Sequence, residues 1–173
     1  MEAIETLVHD LLVFVETHKA ASAPIVFVLA FGESVALLSL LFPATVILFG
    51  IGALVGAGAL DFWSLWLAAA CGAALGDWIS YWLGARYGHS VFRLWPLNRH
   101  PDLLPRGERF FHRWGIASVF IGRFFGPLRA SVTLIAGIFE MSRLRFLLTT
   151  TTSALIWAAG LLAPGLIGIR LFT

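Results

Sequence analysis

Four ionisable residues stand in otherwise apolar stretches of this chain: Glu33, Asp77, Arg123 and Arg129. Two carry negative charge and two carry positive charge. An isolated Asp or Arg near the centre of a membrane helix costs about 2.5–3.5 kcal/mol, so four unpaired ones would cost on the order of 10 kcal/mol. Mutual pairing removes most of that penalty. Such a neutral set has two readings. It is a structural ion network, or side chains reaching to the interface; or it lines a polar cavity at membrane depth. The arginines carry the most information, because they flank Gly126-Pro127. On an unbroken helix they would stand about 120° apart. A break at Gly126 and Pro127 lets both turn toward one point. Two guanidiniums converging in a dry site suit a phosphate, which Arg grips bidentately, and backbone N–H groups freed at the break add donors. Glu33 and Asp77 then serve for charge pairing and proton coupling, since burial raises a carboxyl pKa and a nearby Arg lowers it.

That chemistry needs an apolar host, and the composition supplies one. Of 173 residues, 59% are hydrophobic and 13% charged, against about 45–50% and about 25% in a soluble domain. Disorder is excluded, and a soluble enzyme core fits poorly. The net charge of +2 is too small to imply nucleic acid. Cys71 is the single cysteine, so no internal disulfide or zinc cluster forms. His9, His18, His89, His100 and His112 match no metal-ligand spacing, and no Walker A or GxSxG element is present. Lys19 is the one lysine, which excludes a Lys-dependent phosphatase motif. The expectation is a non-enzyme without cofactor or metal. Glu2, Glu5 and Asp10 are acidic where a secretory signal is basic.

The elements that position the four charges follow from hydropathy. Residues 1–22 read as an amphipathic helix, interfacial or packed on the bundle. Residues 24–60 are almost wholly apolar, too long for one span of about 20 residues, and Pro43 divides them. Two short spans and a re-entrant hairpin tipped at Pro43 both fit. Asp61 is a plausible N-cap for a span over 62–86, with Trp63, Trp66, Tyr81 and Trp82 as interfacial aromatics. Residues 86–115 hold Arg86, Arg93, Arg99, Arg106, Arg109 and Arg113. Pro96, Pro101 and Pro105 break any long helix there, and the positive-inside rule places the stretch in the cytoplasm. An apolar segment broken at Gly126-Pro127 spans 116–138, and a last span covers 146–169. The domain division is thus 1–22 and a membrane domain 23–173, whose halves 24–86 and 115–171 are joined by a basic loop, 87–114. Proline-broken segments at matching places in two halves point to a transporter-like inverted repeat. Gly52/Gly56, Gly72/Gly76, Gly84/Gly88 and Gly122/Gly126 are small-xxx-small pairs that permit close helix packing; a homo-oligomer is compatible with them. Thr149–Ser153 is read as satisfying backbone groups within a span.

The pattern resembles the DedA family, also described as the VTT or SNARE-associated domain. The resemblance rests on Phe31-Gly32-Glu33-Ser34, on Gly76-Asp77 with Tyr81 and Gly84, on the run from Gly122-Arg123 to Pro127-Leu128-Arg129, and on Ala136-Gly137. It covers roughly residues 25–170. It implies an all-α integral membrane fold, an inverted repeat of two re-entrant helical hairpins each followed by a transmembrane helix, here with an N-terminal amphipathic helix. With the 86–115 stretch in the cytoplasm, both termini then face outward. It also implies a multi-pass protein of the bacterial inner membrane and lipid translocation, linked in bacteria to undecaprenyl phosphate and the proton-motive force. The functional positions carry over to Glu33, Asp77, Arg123 and Arg129. Two departures stand out. The first hairpin reads Pro43-Ala44-Thr45 without the acid many members have there. Thr133 replaces a frequent proline, which leaves that arm straighter.

The leading expectation is a flippase for a phosphate-headed lipid, with Arg123 and Arg129 as ligands; replacing both by Ala should abolish activity with folding intact. The rivals are a proton-coupled transporter of a small solute, a general phospholipid scramblase, and a noncatalytic membrane scaffold.

Overall fold

The computed structural model describes residues 13, 18–35, 44–93, 97–99 and 102–172. Asp61 starts the first long helix. Its carboxylate accepts from the Ser64 backbone N–H at 2.8 Å and the Ser64 hydroxyl at 2.7 Å. The hydroxyl, and then the N–H, hold that carboxyl below the ordinary carboxylate range. Helix α3 follows, Phe62–Tyr87, about 39 Å at 1.5 Å per residue. The second long helix is α7, Arg143–Phe172. Segments Phe62–Ser90 and Arg143–Ala163 are long and apolar enough to cross a membrane. Four other helices are too short for a core of about 30 Å: α1 (Lys19–Ser34), α2 (Thr45–Gly56), α5 (Ile116–Gly122) and α6 (Gly126–Ile138). Helix α4 (Leu103–Trp114) precedes α5. Among the described residues there is no strand.

The packing repeats across the two halves. Helix α1 packs on α3 as α5 packs on α7; α2 packs on α7 as α6 packs on α3; α1 touches α2 as α5 touches α6. The long helices α3 and α7 meet each other. Exchanging the halves leaves this pairing scheme unchanged. The ends of α2 and α6 repeat in detail. At the end of α2, Gly58 N–H donates to Val55 O and Ala59 N–H to Leu54 O; at the end of α6, Glu140 N–H donates to Gly137 O and Met141 N–H to Ala136 O. Both are Schellman motifs, in which one residue takes a left-handed backbone to satisfy the last carbonyls. That residue is Gly58 (φ 74°) in one half and Glu140 (φ 50°) in the other.

Four sequence expectations change here. The stretch 87–114 is not all loop, because Leu103–Trp114 is helical. Its Pro105 falls in the first turn, where the missing N–H has no helical partner to lose. This helix turns Gly107 onto Ser131 and Ile135 of α6 and exposes Arg106, Arg109 and Arg113. Residues 22 and 23 lie within one helix, since α1 runs through Pro24. The break expected at Gly126-Pro127 is present but falls just before it, at 123–125: α5 ends at Gly122, and the proline sits in the first turn of α6, where its fixed φ suits helix initiation. Tyr81 is not an interfacial aromatic; it is buried, and its hydroxyl donates to Met141 O at 2.5 Å. Pro43 and nearly all of 1–17 lie outside the described residues. Thr133 sits in a continuous α6, its hydroxyl donating to Arg129 O at 3.3 Å.

Candidate functional site

The polar layer lies between two apolar clusters. One gathers Val26 and Ala30 of α1, Ile47 and Ile51 of α2, Leu65–Ala73 positions of α3, and Ala154–Leu162 positions of α7. The other gathers Tyr81, Val119, Val132, Ala136, Met141 and Phe146. Asp77 stands four residues from Ala73 and four from Tyr81; Thr150 stands four from Phe146 and four from Ala154. Residues four apart share a helix face, so each long helix turns one polar position inward between its two apolar contacts. Asp77 is about 22 Å along the roughly 39 Å of α3, close to that helix's midpoint.

Close backbone approach brings α1 to this level. A Cβ on Gly72 would meet Phe27 O at 2.3 Å, and one on Gly76 would meet Phe31 O at 2.6 Å. With α1 seated there, Glu33 and Ser34 reach the layer, and the Ser80 hydroxyl donates to Ser34 O at 3.2 Å.

The acids and arginines form two pairs. Arg123, the C-cap of α5, bonds Asp77 through Nη2; both side chains are 2% exposed. Its Nε donates to Ser153 Oγ at 2.9 Å and its Nη2 to Thr150 Oγ1 at 3.0 Å. Thr150 also donates to Asp77 Oδ2 at 2.5 Å. The second pair is looser. Arg129 Nη1 lies 3.5 Å from Glu33 Oε1, and the Glu33 side chain is 12% exposed. Arg129 Nη2 bonds the Ser34 hydroxyl, and its guanidinium lies 4.5 Å over the Trp157 ring, a cation–π contact. Thr45 donates to Glu33 Oε1. Arg123 also lies within electrostatic reach of Arg129 and Glu33, so the two pairs form one cluster.

The cluster is not fully satisfied. Glu33 Oε2, Asp77 Oδ1, Arg123 Nη1 and Arg129 Nε are buried and lack a hydrogen-bond partner. Each such atom costs about 1–3 kcal/mol, more when charged. Two guanidinium donors and two carboxylate oxygens without partners are therefore held in one buried layer. Among the described residues, no group of three His, Cys, Asp or Glu is placed to hold a metal ion.

Ser34, Thr150, Ser153 and Trp157 contact the cluster, a role that sequence assigned to none of them. Thr149 and Thr152 do bond carbonyls four residues back, at 2.8 Å each, as the reading of 149–153 expects. Ser153 does both, donating to Thr150 O at 3.0 Å and accepting from Arg123 Nε, while Thr150 turns its hydroxyl to Asp77. Their signal is spacing: they are three apart and continue the inward face of Phe146, Ala154 and Trp157.

The VTT domain profile matches residues 42–166. The chain is 36% identical over 154 residues to inner membrane protein YabI of Escherichia coli (strain K12), covering 89% of this chain and 61% of that one. It is 31% identical over 143 residues to an uncharacterized membrane protein of Buchnera aphidicola subsp. Schizaphis graminum, covering 83% and 57%. It is 28% identical over 134 residues to inner membrane protein YqjA of Escherichia coli, covering 77% and 61%. The chain thus spans about three fifths of the length of these relatives. No solved structure matches it.

Proposed function

The chain belongs to the VTT-domain family, the DedA proteins, and on that premise we propose that it is a membrane translocase for a phosphate-headed lipid. Arg123 and Arg129 are its phosphate ligands, and undecaprenyl phosphate is the substrate that family resemblance favours. The bacterial inner membrane is its location, with α1–α2 and α5–α6 as opposed re-entrant hairpins; the pairing scheme that survives exchange of the halves supports that arrangement.

The observation that carries this reading is the four orphaned polar atoms. A purely structural ion network gains by satisfying every member. Here Glu33 and Asp77 hold the arginines as stand-ins for an anion and leave Arg123 Nη1 and Arg129 Nε open. A phosphate oxygen reaching those donors replaces an orphan with a charge-assisted hydrogen bond. The lipid tail has an apolar path beside the site. A groove of about 480 Å³ runs between α3 and α7, lined by Leu67, Cys71, Leu75, Trp78, Leu147 and Leu155 among others.

Charge balance gives the proposal a proton requirement. With both acids ionised the cluster is neutral. A phosphate monoester brings about −1.5 to −2 charges at pH 7, and a dry site resists that excess. Protonating the displaced carboxyls restores balance. Glu33 is the first to leave, since its contact with Arg129 is longer and its side chain more exposed than Asp77. Proton uptake on binding means that affinity rises as pH falls. Glu33→Gln is expected to keep translocation and to reduce the ratio of flip rates at about pH 6 and about pH 8. The measurement is flip rate in proteoliposomes at both pH values; an unchanged wild-type profile in the Gln variant removes Glu33 from the coupling role.

A further inference from the structure

The left-handed residue that closes α6 is the starting point. In the matching turn after α2 that place is filled by Gly58, the residue that adopts this backbone without penalty. After α6 it is Glu140, an exposed carboxylate held at φ 50°. Two turns with the same hydrogen bonds thus differ in the one residue whose side chain is optional. Non-glycine residues held in this strained backbone cluster at functional sites.

That side chain lines a cavity of about 540 Å³ between α3 and the α6–α7 turn. Trp78, Tyr81 and Trp82 form its aromatic wall, and Glu140, Ser142 and Arg143 its polar wall. The aromatic wall is organised: Trp78 and Tyr81 stack at 5.8 Å, and Tyr81 stacks on Phe146 at 4.4 Å. It is also anchored, because the Tyr81 hydroxyl ties it to Met141 of the facing turn. Glu140 and Arg143 are exposed, of opposite charge, three residues apart and in the same cavity. Among the described residues no ion pair joins them, although other exposed acid–base pairs, such as Asp102 with Arg106, do form.

We propose that this cavity is a docking site for the head group of a zwitterionic ammonium–phosphate lipid, distinct from the Arg123–Arg129 layer. The ammonium sits between the Glu140 carboxylate and the faces of Trp78 and Trp82, where ring quadrupoles attract cations. The phosphate sits at Arg143 and the first turn of α7, where the helix N-terminus favours anions. Trp82 is 53% exposed on one of the two candidate membrane spans, so the lipid chains continue from the cavity along the outside of α3. An anionic head group lacks the ammonium and faces the Glu140 charge. The site therefore selects zwitterionic over anionic lipid. It stands whether or not the arginine layer moves phosphate.

The test uses the full purified chain in detergent and native mass spectrometry, with dilauroyl phosphatidylethanolamine and dilauroyl phosphatidylglycerol as probes. The ethanolamine lipid is expected to bind at least tenfold more tightly. Glu140→Gly keeps the turn, as Gly58 does, and raises Tm by about 2–4 °C while bringing the two lipids to equal affinity. Trp82→Ala weakens the ethanolamine lipid at least threefold. Equal binding of both lipids to the wild-type chain overturns the proposal, as does a preference that survives in Glu140→Gly. Glycerophosphoethanolamine competing at equal concentration would contradict the assignment to a lipid.

Discussion

Replacing Arg123 by alanine is expected to abolish translocation and to destabilise the fold by about 3–5 kcal/mol, the cost of leaving one partner of a buried ion pair uncompensated. Asp77 would remain with a 2% exposed side chain and no cation. Ser153 Oγ and Thr150 Oγ1 would each lose a bond from the guanidinium. Sequence alone suggests intact folding; the depth of the pair instead predicts a measurable loss of stability. Loss of activity in this variant is consequently ambiguous by itself. The paired replacement Arg123→Met with Asp77→Leu separates the two effects. Apolar residues of similar volume in place of a buried pair are neutral or stabilising, so thermal unfolding in detergent is expected near or above the wild-type midpoint. Translocation is expected to stay absent, because the phosphate ligand is gone. A scaffold role predicts the reverse: any replacement that restores stability restores function.

One methyl group at Gly84 or Gly137 is expected to be nearly as damaging. A Cβ on Gly84 would meet Leu134 O at 2.1 Å; one on Gly137 would meet Tyr81 O at 2.0 Å and Ala85 N at 2.8 Å. All three are backbone atoms, so no rotamer change relieves the clash, and α3 must move off α6. Overpacking costs about 1–3 kcal/mol and more where backbone shifts; Gly84→Ala and Gly137→Ala belong at the top of that range. Gly32 and Gly160 provide controls, since a Cβ there meets nothing within 4 Å. Alanine at those two helical positions is expected to stabilise by up to about 1 kcal/mol. Unfolding midpoints of the four variants check the sign as well as the size. A wild-type midpoint for Gly137→Ala would place α3 and α6 further apart than described.

The four charges were legible in the sequence because hydrocarbon penalises them; any reader of hydropathy finds Glu33, Asp77, Arg123 and Arg129. Their partners were not. Thr150, Ser153 and Trp157 are neutral, and a helix in lipid is apolar all round, so no amphipathic stripe tells the inward face from the outward one. Only their spacing from Phe146 distinguishes them, and that spacing acquires meaning once Phe146 is known to be buried. Helix α4 was hidden by Pro101 and Pro105, which read as breakers although the second falls in a tolerated first-turn position. The repeat was visible as two proline-broken segments, but its turns were not matched. Gly58 signals a helix end, whereas Glu140 carries no such signal, because an acid at a left-handed position contradicts local preference. That contradiction is what makes it informative.

The central claim is that two buried arginines, held by carboxylates in the resting state, are the phosphate ligands of a lipid translocase. Its most direct test is flip of a fluorescent polyprenyl phosphate across proteoliposomes, beside the matching polyprenyl alcohol, with the wild-type chain and with Arg123→Met/Asp77→Leu. The prediction is faster flip of the phosphate lipid alone, lost in the paired variant while its unfolding midpoint holds. Equal acceleration of the alcohol, or full-rate phosphate flip by the paired variant, would contradict it.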